Sequence, residues 1–161
     1  ATPAVPQLSS AAFSGDGSAV LVRFNAPTNR AGYTNSFKCT RLLSFMGDST
    51  AMCSWSDDSS IIVYPSNKVS VEQMLLVGTS SIAVRAGANV TAKCTQLKTI
   101  CAKWSSTPIA SVVISAPAVP VLPKVTLSMA TTLSGCNALA VDLSASSGSG
   151  GRAWQTPVFS A

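Results

Sequence analysis

Histidine is missing from this 161-residue chain. Its absence removes Ser-His-Asp and Cys-His catalysis, His-ligated zinc and the commonest general base. Acidic residues are nearly as scarce: Asp16, Asp48, Asp57, Asp58, Glu72 and Asp142, mostly in expected turns. Paired carboxylates converging in a cleft, as glycoside hydrolysis needs, are not expected from that set, so no enzyme is expected. Asp57-Asp58 falls short of the several oxygens calcium wants, so it reads as a solvated turn and no metal is expected. The net charge of +5 comes from scattered residues; Lys93, Lys98 and Lys103 lie near one another without forming a run. Nucleic-acid binding, which wants a basic stripe with interleaved aromatics, is therefore not expected. No apolar run reaches 18 residues, so no membrane insertion by this segment is expected. The start, Ala1-Thr2-Pro3-Ala4-Val5-Pro6, lacks the basic and apolar regions of a signal peptide. A targeting segment of a secreted parent would lie outside this sequence. No CxxC occurs, which argues against a thioredoxin motif or a zinc knuckle. Gly148-Ser149-Gly150-Gly151 lacks the Gly-Lys-Ser/Thr ending and following helix of a phosphate loop. No cofactor is implied.

What remains is apolar and weakly charged: 47% hydrophobic residues and only 11% charged ones. Polarity comes from Ser, Thr, Asn and Gly, a surface suited to a β-protein in an extracellular setting. No helical period persists. Alternation predicts strands at Ala19–Phe24 (Val20, Val22 and Phe24 on one face), Phe37–Phe45 (Phe37, Cys39, Leu43 and Phe45, with Arg41 breaking the face) and Ala51–Trp55. Further strands are expected at Ile61–Tyr64, Asn67–Val77, Ser81–Arg85 and Ile109–Ser115. Val71–Leu76 could instead form a helical turn. Short strands at close spacing predict an all-β fold, an immunoglobulin-like β-sandwich over residues 1–115. Trp55 reads as core. Trp104, in a polar loop, reads either as a contact residue exposed to a ligand or as a lid over neighbouring cysteines.

Five cysteines are present. Cys39 and Cys53 flank the turn at Met46–Thr50, and Cys94 and Cys101 flank a polar loop, so both pairs read as local disulfides. Cys136 is left unpaired within this chain, and its partner is expected beyond Ala161. Asn89-Val90-Thr91 is a sequon that makes Asn89 a candidate glycosylation site and, beside paired cysteines, supports a secretory route.

Residues 116–123, Ala-Pro-Ala-Val-Pro-Val-Leu-Pro, read as a semi-rigid Pro-rich linker. It echoes Thr2–Pro6, and each run leads to a strand and then an Arg-Ala loop, a weak internal repeat of a little over a hundred residues. Residues 124–161 read as the start of a second β-module, opening with a strand at Leu139–Leu143. What remains after it is too short to close that module, so the chain is expected to be part of a longer, repeat-built protein.

Cys136–Trp154 resembles the receptor-for-egg-jelly (REJ) region of polycystin-type surface proteins, and more closely the long ectodomains of related algal and protist proteins. The pattern is a Cys, an L-x-D-x-S-x-S strand and a G-S-G-G-R-x-W turn. It is matched by Asp142, Ser144, Ser146, Gly148, Gly150, Gly151, Arg152 and Trp154, with Leu139 standing one residue further from Asp142 than the pattern has it. The preceding region resembles the accompanying sandwich repeats, with Arg30-Ala31-Gly32 and the Cys39/Cys53 pair. After Trp154 the chain departs from the family's aromatic-rich strand. The resemblance implies an extracellular or cell-surface repeat module, ciliary surfaces among its settings, used for adhesion, assembly or linkage and carrying no catalytic residues. Neighbouring modules, other surface proteins or glycans are the partners it implies. A glycan- or ligand-binding module is the alternative.

Overall fold

The computed structural model describes residues 2–132, 134, 135, 138–150, 154, 156 and 158. Among the described residues the chain is all-β, apart from three short 3-10 turns and one four-residue helix, α1 (Lys98–Cys101). Eight strands form one sheet: β1 (Leu8–Phe13), β2 (Val20–Phe24), β3 (Phe37–Lys38), β4 (Leu43–Ser44), β5 (Met52–Trp55), β6 (Ser60–Tyr64), β7 (Ser81–Val84) and β8 (Ser111–Ser115). Their order is β3-β5-β6-β2-β1-β8-β7-β4. All pairs are antiparallel except β1 with β8.

β3 and β4 occupy opposite edges of this sheet, yet the chain passes from Lys38 to Leu43 through one 3-10 turn, Cys39–Arg41. Laid flat, eight strands would hold their outer members about 34 Å apart, at about 4.8 Å per spacing. The connecting residues can span only about 18 Å. The sheet therefore curls until its edges meet around one core. Alternating side chains fill the inside: Val20 and Val22 on β2, Ile61 and Val63 on β6, Cys53 on β5, Ile82 and Val84 on β7, and Ile114 on β8. Register sets Val20 against Val63 and Val22 against Ile61, the inward cross-strand pairs that stabilise a sheet. Phe24 packs on Trp55 with ring centroids 5.8 Å apart; Trp55 is half-buried at the margin of the core rather than within it.

The single strand expected over Phe37–Phe45 is broken. Leu42 and Leu43 are both buried although adjacent, which a straight strand forbids because neighbours face opposite sides. The turn re-aims the chain and leaves Arg41 exposed. Arg85 holds this corner: its backbone N–H donates to Leu42 O at 2.9 Å and its Nε to Leu43 O at 2.8 Å. Its Nη2 meets Asp48 Oδ2 at 2.6 Å. No strand forms over Asn67–Val77; the helical-turn alternative occurs there, as a 3-10 turn at Val71–Gln73. Leu75 of that segment caps the core. β1 was not anticipated. Its Leu-Ser-Ser-Ala-Ala-Phe sequence carries little apolar contrast, yet it joins β2 to β8 at the middle of the sheet.

Beyond β8, the 116–123 run lies against the β1–β2 turn: Val121 N–H donates to Gly15 O at 2.7 Å. A small two-stranded sheet follows, β9 (Ser128–Met129) with β10 (Val141–Asp142), shorter than the Leu139–Leu143 strand expected. Lys124 and Ser147 exchange two backbone hydrogen bonds of 2.9 Å.

Both expected disulfides form. Cys39–Cys53 has Cα atoms 5.0 Å apart and Cys94–Cys101 5.6 Å. Cys39 and Cys53 are fully buried, whereas Cys94 is exposed. Loop-closure entropy gives each bridge about 2–3 kcal/mol, but only the first also fills core volume. In urea unfolding of single-bridge variants, Cys39→Ala/Cys53→Ala is expected to lose more stability than Cys94→Ala/Cys101→Ala. A gap of only about 0.6 kcal/mol, which the doubled loop length supplies by itself, would mean that the corner bridge contributes chain entropy alone.

Candidate functional site

One end of the curled sheet gathers the loop after β2, the β5–β6 turn and the segment from Ala88 to Thr107. Asn29 is their hub. Its Oδ1 accepts from the backbone N–H of Ala31 at 2.9 Å and of Thr91 at 3.0 Å, and its Nδ2 donates to Asn89 O at 3.2 Å. Its own N–H donates to Thr91 O at 2.9 Å. Beneath it the buried Thr28 sends both its N–H and its hydroxyl to Asp58 O, each at 2.7 Å. The described non-glycine residues with left-handed backbone are Arg30 (φ 54°), Ala31 (φ 47°) and Asn89 (φ 52°), and all belong to this cluster. Such conformations cost energy and persist where surrounding bonds over-determine them; here the Asn29 amide supplies those bonds.

Asp58 is the electrostatic centre. Lys93 Nζ contacts its Oδ2, and Arg30 Nε and Nη2 both lie 2.8 Å from its Oδ1. The Lys93 hydrogen bond, with that from Arg30, holds the Asp58 carboxyl below its ordinary value. Asp57 faces its own turn, accepting from Ser59 N–H at 2.7 Å and Ser59 Oγ at 2.9 Å. The Ser59 N–H bond also lowers the Asp57 pKa. Among the described residues no group of three His, Cys, Asp or Glu side chains comes together. The neighbouring acids are thus committed to cations and turn N–H groups.

Beside this hub lies an open concavity of about 360 Å³, lined by Asn29, Asn89, Thr91, the Cys94–Cys101 bridge and Trp104. Trp104 is held by its N–H bond to Cys101 O at 3.0 Å and is half-buried. Thr107 anchors the return strand, its N–H and Oγ1 both bonding Val90 O. Asn89 is exposed at the rim. Sequence reasoning singled out Asn89, Trp104 and the cysteine pair separately. It missed Asn29, which joins them, and read Asp58 and Lys93 only as part of a solvated turn and as a scattered cation, not as partners; the signal at Asn29 was an Asn one residue ahead of Arg30-Ala31-Gly32, a turn former without a visible partner.

The other sequence-singled turn lies elsewhere. Gly148 (φ 86°) and Gly150 (φ 65°) are left-handed, and a Cβ on Gly150 would sit 2.3 Å from Asp16 O. A Cβ on Gly148 would sit 2.9 Å from Pro123 Cα, and one on Gly15 2.7 Å from Val119 O. Trp154 is half exposed; Cys136, Gly151 and Arg152 lie outside the described residues. Asp16 organises the turn that Gly150 meets. Bonds from the Ser14 hydroxyl, then from the Ser18 N–H and hydroxyl, hold its pKa at about 2.

Asn29→Ala is expected to cost about 1–3 kcal/mol and to speed amide exchange at Ala31 and Thr91, the two donors to its Oδ1. Unchanged exchange at both would remove Asn29 from its hub role. Asp16, Asp57 and Asp58 all have folded pKa values below the ordinary 3.8. Their contribution is therefore complete above the ordinary carboxylate range and is lost as pH falls below it, down to about 2 for Asp16. With no histidine to titrate, thermal melts are expected to be flat between pH 5 and 7 and to drop on acidification, less steeply in Asp58→Asn. A maximum near pH 6, or an unaltered acid limb in that variant, would contradict this.

No protein-family model, curated protein or solved structure matches the chain.

Proposed function

We propose that this chain is a structural and adhesive module of an extracellular or cell-surface repeat protein, acting in assembly or linkage. In this reading residues 1–115 form an immunoglobulin-like sandwich, 116–123 connect, and 124 onward belong to a second β-module of REJ type. The pairing order supports the sandwich: β1-β2-β6-β5 makes one arm and β8-β7-β4 the other, the division used by immunoglobulin-like domains. The main bridge departs from the antibody pattern, because Cys39–Cys53 staples a corner instead of joining the two arms. Two disulfides support an oxidising compartment, and no helix among the described residues is long and apolar enough to cross a membrane. A ciliary surface is the setting that the REJ likeness favours.

The observation that carries a linking role is the junction. Gly150 meets the Asp16–Gly17 backbone, Gly148 meets Leu122 and Pro123, and Gly15 meets Val119. Side chains at these three positions would force backbone apart, so the connector is held against the sandwich and transmits orientation. Stiffness follows from backbone contact that only glycine permits. The runner-up, a glycan-binding module, is favoured by the concavity that holds Trp104 beside polar amides.

Gly150→Ala is expected to open this junction while leaving the sandwich folded. Distance distributions between spin labels at Ser56 and Thr131 would broaden, with the main thermal transition shifted by no more than about 3 °C, since surface changes stay within about 0.5 kcal/mol. An unaltered distribution would exclude the glycine contacts as the source of stiffness.

A further inference from the structure

We propose that the concavity beside Asn29 seats the first sugar of an N-linked glycan carried by Asn89, with Trp104 as its platform. The inference rests on the extracellular reading above and names the ligand of the candidate site. Asn89 stands exposed on the rim, and Asn89, Thr91 and Trp104 line one concavity. The lining mixes two chemistries. Trp104 and the Cys94–Cys101 bridge are its apolar members, while Asn29 Nδ2 keeps one N–H beyond its bond to Asn89 O and Thr91 and Ser106 carry hydroxyls. A pyranose presents the same division, C–H groups on one face and hydroxyls around the edge. An amphipathic aromatic beside placed polar groups is suited to it. The volume of about 360 Å³ is at the small end of ligand sites, which run from about 300 Å³, and suits one or two sugar rings.

The rim is also rigid where the sugar would attach. Asn89 is held left-handed at φ 52° while its carbonyl accepts from Asn29 Nδ2. Val90 is buried, with Thr107 bonded to its carbonyl through both N–H and Oγ1. A sugar fixed at this point loses less freedom on packing than one on a mobile loop. The modification is a group transfer from an oligosaccharyl lipid pyrophosphate. A bond forms between the Asn89 amide nitrogen and C1 of the first sugar. The C1–O bond to pyrophosphate breaks, the pyrophosphate leaves with the electron pair, and the amide nitrogen gives up one proton.

The test uses the full chain secreted from a eukaryotic host, with Asn89 occupancy and disulfides read by non-reducing peptide mapping. Folded protein is trimmed in two ways: by an endoglycosidase that leaves one N-acetylglucosamine, and by an amidase that removes the glycan entirely and leaves an aspartate at position 89, the effect of that charge being subtracted by comparing unglycosylated Asn89→Asp with Asn89→Gln. Tryptophan emission is expected to change only on complete removal, and the change should vanish in Trp104→Phe, which separates Trp104 from Trp55 and Trp154. Trp104→Ala is expected to lower the melting temperature by about 2–4 °C more in the occupied chain than in Asn89→Gln. Occupied Asn89 with no emission change and equal melting losses overturns the seat and leaves the extracellular reading standing. Bare Asn89 with both bridges intact does the same. Bare Asn89 with freely labelling thiols overturns both. Emission at Trp104 that responds to added chitobiose in Asn89→Gln, but not to the chain's own glycan, assigns the concavity to an external glycan and overturns the proposal.

Discussion

The passage from β3 to β4 governs this structure. One short turn must join opposite edges of an eight-stranded sheet, and that demand is met only if the sheet wraps round its own apolar face. Everything that needs an interior follows from it: the fully buried Cys39–Cys53 bridge, the consecutive burial of Leu42 and Leu43, and Arg85 tying the corner to Asp48. Edge strands are a liability when open; drawing the two together at one corner shortens the exposed edge as well as enclosing the core.

The end of the sheet around Asn29 is organised on a different principle. There polar groups, not apolar ones, set the geometry, and a single asparagine amide ties its own loop to the Asn89–Thr91 segment far along the chain. Asp58 supplies the charge balance, taking one carboxylate oxygen to each of two cations. The curled sheet brings the loops to one place, and the amide and carboxylate bonds hold strained backbone there. The concavity with Trp104 is the product of both.

Much of the fold was legible because the inward residues of β2, β5, β6 and β7 are apolar at every second position, which is a local signal. The cysteine pairs were legible for the same reason, each flanking one short loop. What escaped reading depends on distance. The break at Cys39–Arg41 is imposed by where the two edges lie, not by the nine residues of Phe37–Phe45. β1 hides because Ser and Ala fill most of it, and small residues suffice where a strand is sandwiched between two neighbours. At the candidate site, Asn89 and Trp104 announced themselves by residue type. Asn29 did not, since an asparagine before a turn is common and its partners lie 60 and 62 residues away. The glycine turn was legible as a motif but not as a contact with Asp16, which lies at the other end of the chain.

The parallel pairing of β1 with β8 sets a clock. Ser115 Oγ donates to Ala11 O across 104 residues, so the two strands cannot meet until the ribosome has made nearly the whole eight-stranded sheet. At about 5–20 residues per second, β1 waits some 5–20 s with one edge unpaired. A waiting edge is a template for other chains, and the hazard grows with apolar, β-branched content. Leu-Ser-Ser-Ala-Ala-Phe has no β-branched residue. The plainness that hides β1 from sequence reading also makes it a poor partner for a stranger during synthesis.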